Sequence, residues 1–340
     1  MSVHARAPMR IDFAGGWTDV RDFADREEGV VVNGAITLHV HVDFLLGQRG
    51  IKLHAEDLRE HVTIPSSREI RYDGQLDLHK AALNMLPVTG GIEILSRSEA
   101  PSGSGLGASG ALDVALLGGL SHCRAESYSR EELAELGFQL ETAELSLLGG
   151  KQDQYAAALG GFHELTFNGD TVHTRRLSVE EDAARDLEAH LVLAYTGHSH
   201  FSSDTHARVW AAYGEGKPAV TQALRTIRDL TRPAAAALEA GAWQRLAEVI
   251  HENWRQQQRL DATISTPRIA GIERAAKDAG AWGLKATGAG AGGCMAILCP
   301  SDKRPGVVNA VTAAGGQVLE AGFASEGVAV WEQEDAPGNA

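Results

Sequence analysis

The sequence predicts an α+β protein of two domains. Three observations carry that reading. The first hundred residues are rich in β-branched, partly alternating segments. The middle shows helical periodicities, and short glycine-bounded β segments return at the end. Strands, helices, helices and strands in that order are not the strict alternation of a doubly wound fold.

In chain order, Val30 to Leu46 (VVVNGAITLHVHVDFLL) reads as a half-buried strand pair, and Gly90 to Ser98 as a further strand. Ala108 to Gly119 is small and apolar and reads as a helix. Ser129 caps the next helix, with Glu132 three residues on completing a capping box. Leu133, Leu136, Leu140, Ala143 and Leu147 continue that helix at its own spacing. A strand follows from His190 to Gly197. Three or four amphipathic helices occupy Ser203 to Gly280. GLKATG, GGCMAILC, GQVLEAG and GVAVWEQ then read as strands. The predicted domains are 1–195 and 196–332, with a flexible tail at 333–340. No Pro/Ser-rich linker separates the domains, so they are expected to share an interface.

Composition narrows the function. Of 340 residues, 31 are Lys or Arg and 45 Asp or Glu, a net charge of −14. A general nucleic-acid surface needs clustered cations and is not expected. The three cysteines, Cys123, Cys294 and Cys299, form no paired motif, so a reducing compartment is expected. The start, MSVHARAPMR, has no apolar signal core, and no apolar run has membrane-spanning length. A cytoplasmic protein is expected, without membrane partners; a homodimer is compatible with the sequence.

PSGSGLGASGAL, from Pro101 to Leu112, concentrates glycine directly before a helix. Exposed amides and a positive helix end together bind phosphate. The loop lacks the Walker A order and the acidic partner of a dinucleotide fold. Taken alone, a tight turn ahead of a close-packed helix explains it equally well. A second loop, KATGAGAGG (Lys285 to Gly293), shifts the balance. Hairpin closure does not account for Gly288, Gly290, Gly292 and Gly293 together, whereas close approach to a ligand does.

These loops, with APMRIDFAGGWTD (Ala7 to Asp19), resemble the three ordered motifs of the GHMP small-molecule kinases. GGKQDQYAAALGGF (Gly149 to Phe162) is similar to the bacterial sugar-1-kinase branch, the D-glycero-D-manno-heptose 7-phosphate kinases and fucokinases. The likeness spans nearly the whole chain. It implies the GHMP kinase fold: a ribosomal S5-like N-terminal domain, a ferredoxin-like C-terminal domain, and a substrate cleft between them. It also implies an ATP- and Mg2+-dependent kinase acting on the anomeric hydroxyl of a heptose 7-phosphate or related sugar. The alternatives are a fucokinase-like or other free-hexose 1-kinase, and a sensor that binds sugar and ATP without turnover.

The resemblance assigns roles residue by residue. Asp153 matches the catalytic aspartate, and Arg10 the arginine beside it. An always-charged guanidinium suits phosphoryl transfer, which is mostly positioning and charge stabilisation. Without the motif, Asp153 reads as a helix N-terminal acid and Arg10 as a strand-end surface residue. Pro101, Gly103, Ser104, Gly105, Leu106, Gly107, Ala108 and Ser109, with Gly288 and Gly290, match the ATP-binding loops. Asp19, Trp17, Gly16, Lys151, Gln152 and His200 fall at the sugar end. Trp17 stacks on sugar or fills core; Lys151 is otherwise a solvated loop lysine. Ser109 and Glu141 match the Mg2+ ligands, a hard oxygen set. Ser109 reads alternatively as an N-cap. Glu141 points off its helix's apolar stripe like a solvated residue, and Glu144 competes with it. The histidines show no metal-binding spacing.

Four departures stand out. His200 occupies the place of an arginine that would grip a substrate phosphate, and WRQQQRL has glutamines where a lysine is common. GASGA replaces two serines but keeps Ser109. GGWTD is nearer to fucokinases than to heptose-phosphate kinases.

Overall fold

A computed structural model describes residues 2–197 and 203–333. Eight strands form one sheet: β1 (Ser2–Ala14), β2 (Gly29–Gln48), β3 (Ile51–Ala55), β4 (Glu60–Ile64), β5 (Gly91–Ser98), β6 (Phe162–Asn168), β7 (Thr171–Arg176) and β12 (Ala329–Gln333). Four form a second sheet: β8 (Leu191–Tyr195), β9 (Gly283–Ala286), β10 (Cys294–Leu298) and β11 (Gln317–Leu319). The order is β12-β1-β2-β5-β3-β4 in the large sheet, with β6 paired to β2 and β7 to β6, and β11-β8-β10-β9 in the small one.

The strand pair expected at Val30–Leu46 is one long strand. β2 pairs with β1 along nearly its whole length. Its other edge serves β6 from Gly29 to Gly34 and β5 from Val40 to Gln48. β2 runs through Gly34 without turning. A Cβ there would lie 2.9 Å from the Phe162 ring, so the glycine admits close packing rather than a bend.

The helices of the first half are α1 (Arg21–Glu27), α2 (Asp77–Met85), α3 (Ala108–Cys123), α4 (Arg130–Gln139), α5 (Gln152–Leu159) and α6 (Glu181–His190). α3 is apolar nearly all round because it is buried nearly all round, packed on β1 and β2. The predicted capping box is present: the Ser129 hydroxyl accepts from the Glu132 amide at 3.2 Å, and the Glu132 carboxylate from the Ser129 amide at 2.7 Å. α4 does not run on to Leu147 as its apolar spacing suggested. It gives way to a π-helical turn over Leu140–Glu144, where the helix ends, and Leu147 beyond it is exposed.

The second half holds α7 (Ser203–Gly214), α8 (Pro218–Asp229), α9 (Thr231–Glu239), α10 (Trp243–Gln257), α11 (Pro267–Asp278) and α12 (Arg304–Ala313). Five helices, α7 to α11, stand where three or four were expected. The extra break is a bare junction at Leu230, too short to leave a loop signal. The division expected at Tyr195 does not follow the sheets. β8 bonds to β10 and β11 in the small sheet, while β12 returns to pair with β1, Gln333 opposite Ser2. The rest of the expected tail, 334–340, lies outside the described residues, as does His200.

The two halves share core. Trp17, Val20 and Phe23 from the first half lie in one apolar cluster with Val209, Trp210 and Tyr213. α9 and α10 pack into the other cluster. A buried ion pair joins the sheets: Lys285 of β9 donates to the Asp12 carboxylate at 2.6 Å and to the Asp12 carbonyl at 2.9 Å. Burial depresses the Lys285 ammonium, and the Asp12 charge opposes that shift. Removing one partner of such a pair strands a buried charge. Lys285→Met is therefore expected to lose about 3–5 kcal/mol in urea unfolding. Adding Asp12→Asn should recover part of that loss; equal loss in the double variant would show that the charge is not the cause.

Candidate active site

A cleft of about 690 Å³ runs between the halves, lined by the ends of β1, α3, α5 and α7 and by both glycine loops. At its centre Arg10 is 5% exposed. Its Nε donates to Asp153 Oδ1 at 2.8 Å, and its Nη2 lies 2.7 Å from the same oxygen. Its Nη1 donates to the carbonyls of Gly105 at 2.7 Å and Thr287 at 3.0 Å. One side chain thus joins β1, both glycine loops and the start of α5.

The loops are built to let backbones meet. Gly103, Gly105 and Gly107 adopt φ of 69°, 71° and 76°, the left-handed region open to glycine. A Cβ on Gly288 would lie 2.9 Å from the Gly105 Cα, so the two loops touch. Gly107 is the residue before α3 and offers no side-chain cap. Ser109 is therefore not the N-cap but the second residue of the helix, and the first amides of α3 carry no side-chain cap. Ser104, Ala108 and Gly290 also line the cleft. Pro101 and Leu106 do not: the Pro101 carbonyl accepts from the Ser104 amide at 3.1 Å, and Leu106 enters the core while its carbonyl accepts from the Arg10 amide at 2.9 Å.

Asp19 is buried and accepts from the Gln152 amide at 3.2 Å and side chain at 3.4 Å. Gly16 and Gly150 admit this end of the cleft: a Cβ on either would fall about 2 Å from the carboxylates of Asp12 or Asp19. Burial, and then the charge of Asp153, push the Asp19 carboxyl up to about 7. Trp17 lies flat against His206, ring centroids 4.3 Å apart.

Glu141 is not the solvated residue its helix stripe suggested. The π turn brings it to the cleft, where Gln154 donates to it at 3.0 Å and the Ser109 hydroxyl bonds to it. Burial and the charge of Asp153 raise its carboxyl. Glu144 bonds instead to the exposed Tyr72 hydroxyl. Ser109 and Glu141 offer hard oxygens beside the uncapped amides, with like charge nearby and no cation between. That donor set fits Mg2+, which takes few protein ligands when phosphates supply the rest.

Lys151 is the sugar-end residue that the structure does not bring there. Its Nζ turns away to both Glu135 oxygens at 2.9 Å and the Asp170 carbonyl at 3.3 Å, above the Phe138 ring. Two other residues went unnoticed in the sequence. Asp113 sits fully buried on α3, one turn beyond Ser109 and beside Glu141; burial and then that neighbour raise its carboxyl well above the usual range. The lone acid of a largely apolar helix was the available signal. His206 had none, being masked by the more conspicuous HSH nearby. Among the described residues, no three histidine, cysteine or acidic side chains converge as a metal site.

The comparisons fit this geometry. The model for the GHMP kinases N-terminal domain matches residues 76–161, and that for the C-terminal domain residues 234–317. The chain belongs to the GHMP kinase family. Both glycine loops and Asp153 fall inside the matched spans. A D-glycero-alpha-D-manno-heptose 7-phosphate kinase of Campylobacter jejuni is 29% identical, over 97% of this chain and 99% of its own. A mevalonate kinase of Thermococcus gammatolerans is also 29% identical, over 98% and 99%. In fold, a D-glycero-D-manno-heptose 1-phosphate kinase of Bacteroides thetaiotaomicron superposes with a TM-score of 0.82 at 24% identity, covering 98% of this chain and all of that one. GHMP kinases are ATP-dependent phosphotransferases, and the two-domain α+β class follows from the match. No helix among the described residues is long and apolar enough to cross a membrane.

Asp19 yields a pH prediction. Its folded-state carboxyl titrates near 7 rather than at the ordinary 3.8. Between those values the folded state holds a proton that the unfolded state has released, so stability falls as pH rises through that window. Asp19→Asn removes the penalty. Its stability advantage should be absent near pH 4, grow to pH 7 and level off above, reaching at most about 4 kcal/mol. Thermal unfolding across pH checks this; a pH-independent difference would refute it.

Proposed function

We propose that this chain is an ATP- and Mg2+-dependent sugar kinase that phosphorylates the anomeric hydroxyl, giving a sugar 1-phosphate and ADP. The observation that carries the reading is the place of the Arg10–Asp153 pair. It stands between the two touching glycine loops and the polar end formed by Asp19, Trp17 and Gln152. The names of the Campylobacter and Bacteroides proteins support a sugar acceptor, a heptose 7-phosphate in the first case.

The chemistry follows from the geometry. The glycine loops and the uncapped start of α3 hold the phosphates of ATP. The sugar hydroxyl oxygen attacks the γ-phosphorus as its bond to the β–γ bridging oxygen breaks, and ADP leaves. Asp153 takes the hydroxyl proton as general base. Arg10 orients Asp153 and offsets charge on the transferring group. Ser109 and Glu141 would hold Mg2+, which when bound neutralises charge on the β- and γ-phosphates.

Coupled ADP release with Mg-ATP, with product located by phosphorus NMR, tests the reaction. A phosphate on the anomeric oxygen is expected; a phosphate on another oxygen refutes the regiochemistry. Asp153→Asn should lower turnover about a hundredfold or more while ATP affinity stays within about threefold. Near-normal turnover in that variant would remove Asp153 from the chemistry.

A further inference from the structure

Resting on the kinase reading, we propose that the acceptor is an uncharged sugar, and that the His206–Trp17 pair forms the wall that selects it.

Charge is the first argument. Among the described residues, the cleft is lined by Asp12, Asp19, Asp57, Glu141 and Asp153, against two strong cations, Arg10 and Arg97. Arg10 is committed to Asp153 and two carbonyls. Arg97 lies on β5 opposite His41, itself opposite Arg6. That places its backbone about 13 Å along the strands from that of Arg10. Lys285 is buried on Asp12, and Lys151 is held by Glu135 on the far side of its loop. The amide of Gln152 at the start of α5 is taken by Asp19. Residues 198–202 read HSHFS and contain neither Lys nor Arg. A terminal phosphate carries close to two negative charges and needs a guanidinium, an ammonium or free helix amides. At this end it meets carboxylates. Burial also depresses the His206 imidazole to about 4, so His206 is neutral and supplies no charge.

The second argument is hydrogen bonding. Nε1 of Trp17, Oε1 of Gln152 and Nδ1 of His206 are buried, lie on residues lining the cleft, and have no protein partner among the described residues. Trp17 is 6% exposed and Gln152 8%. Buried polar atoms are ordinarily satisfied. An indole N–H needs an acceptor, while an amide oxygen needs a donor. Neighbouring hydroxyls of one sugar supply both, whereas an ionised phosphate only accepts.

The third argument is strain. Trp17 adopts φ 82°, where glycine sits freely and a bulky side chain does not. A conformation of this kind persists where the surroundings over-determine it, commonly at a ligand site. Here the indole is held flat against His206, at an interplanar angle of 21°. An aromatic wall beside hydroxyl-matching atoms suits the mixed apolar and polar faces of a pyranose.

The test is kcat/KM for matched sugars with and without a terminal phosphate, hexoses and heptoses alike, by ADP release with Mg-ATP. The proposal expects the free sugar to exceed its phosphate ester at least tenfold. Parity or preference for the ester would overturn it. Absence of turnover with every sugar of both kinds would instead fail the kinase reading itself. His206→Leu should raise KM for the preferred sugar about tenfold or more, with kcat and the KM for ATP within about twofold. His206→Asn, which can return a polar atom near the place of Nδ1, should recover part of the loss. Unchanged sugar KM in His206→Leu, or equal changes in the ATP and sugar constants, would remove His206 from selection.

Discussion

The Arg10 guanidinium is the constraint on which the rest of the site depends. Four of its contacts reach Asp153, Gly105 and Thr287. Those residues lie in three segments far apart in sequence, one of them in the second half of the chain. A planar fork with several fixed donors can bond to all three at once; an ammonium on a flexible stem would not hold the same geometry. The buried Lys285–Asp12 pair repeats the tie two residues along β1. The cleft is thus fixed from both halves, and the charge of its base is balanced locally.

That balance stops short of the acceptor end. Among the described residues Asp19 has no cationic partner, and the half-buried Glu141 lies beside the buried Asp113. These carboxylates work against folding when charged. On the proposed function, hydroxyl donors at Asp19 and a divalent cation beside Glu141 would offset that cost. The same logic accounts for the glycines. At Gly288 and Gly293 the two loops meet too closely for side chains, and Gly105 takes a φ of 71° that favours glycine.

Much of this was legible in the sequence, and the failures have physical causes. The α+β order, the capping box at Ser129 and the glycine loops follow from local rules of propensity and close approach. Convergence of Arg10, Asp19, Gln152 and Asp153 on one cleft was inferred from motif order, because no local pattern encodes a contact across 143 residues. The strand pair is instead one long strand that serves β6 and β5 in turn along one edge, a pattern that local propensity does not distinguish from two strands. The Lys151 side chain turns to Glu135, sixteen residues earlier, a direction that a loop sequence does not show. For Glu141 the helical stripe pointed to solvent and motif order to the site, because a π turn shifts phase and the α-helical period assumes none. The return of β12 to pair with β1 across the whole chain leaves no mark on composition.

The most direct test of the central claim is a double-mutant cycle between Arg10 and Asp153 on kcat/KM. If Arg10 acts through Asp153, Arg10→Ala and Asp153→Asn will be strongly non-additive, and the double variant will be within about threefold of Asp153→Asn alone. If the two losses multiply instead, Arg10 and Asp153 act independently, and the account of one guanidinium organising the site is wrong.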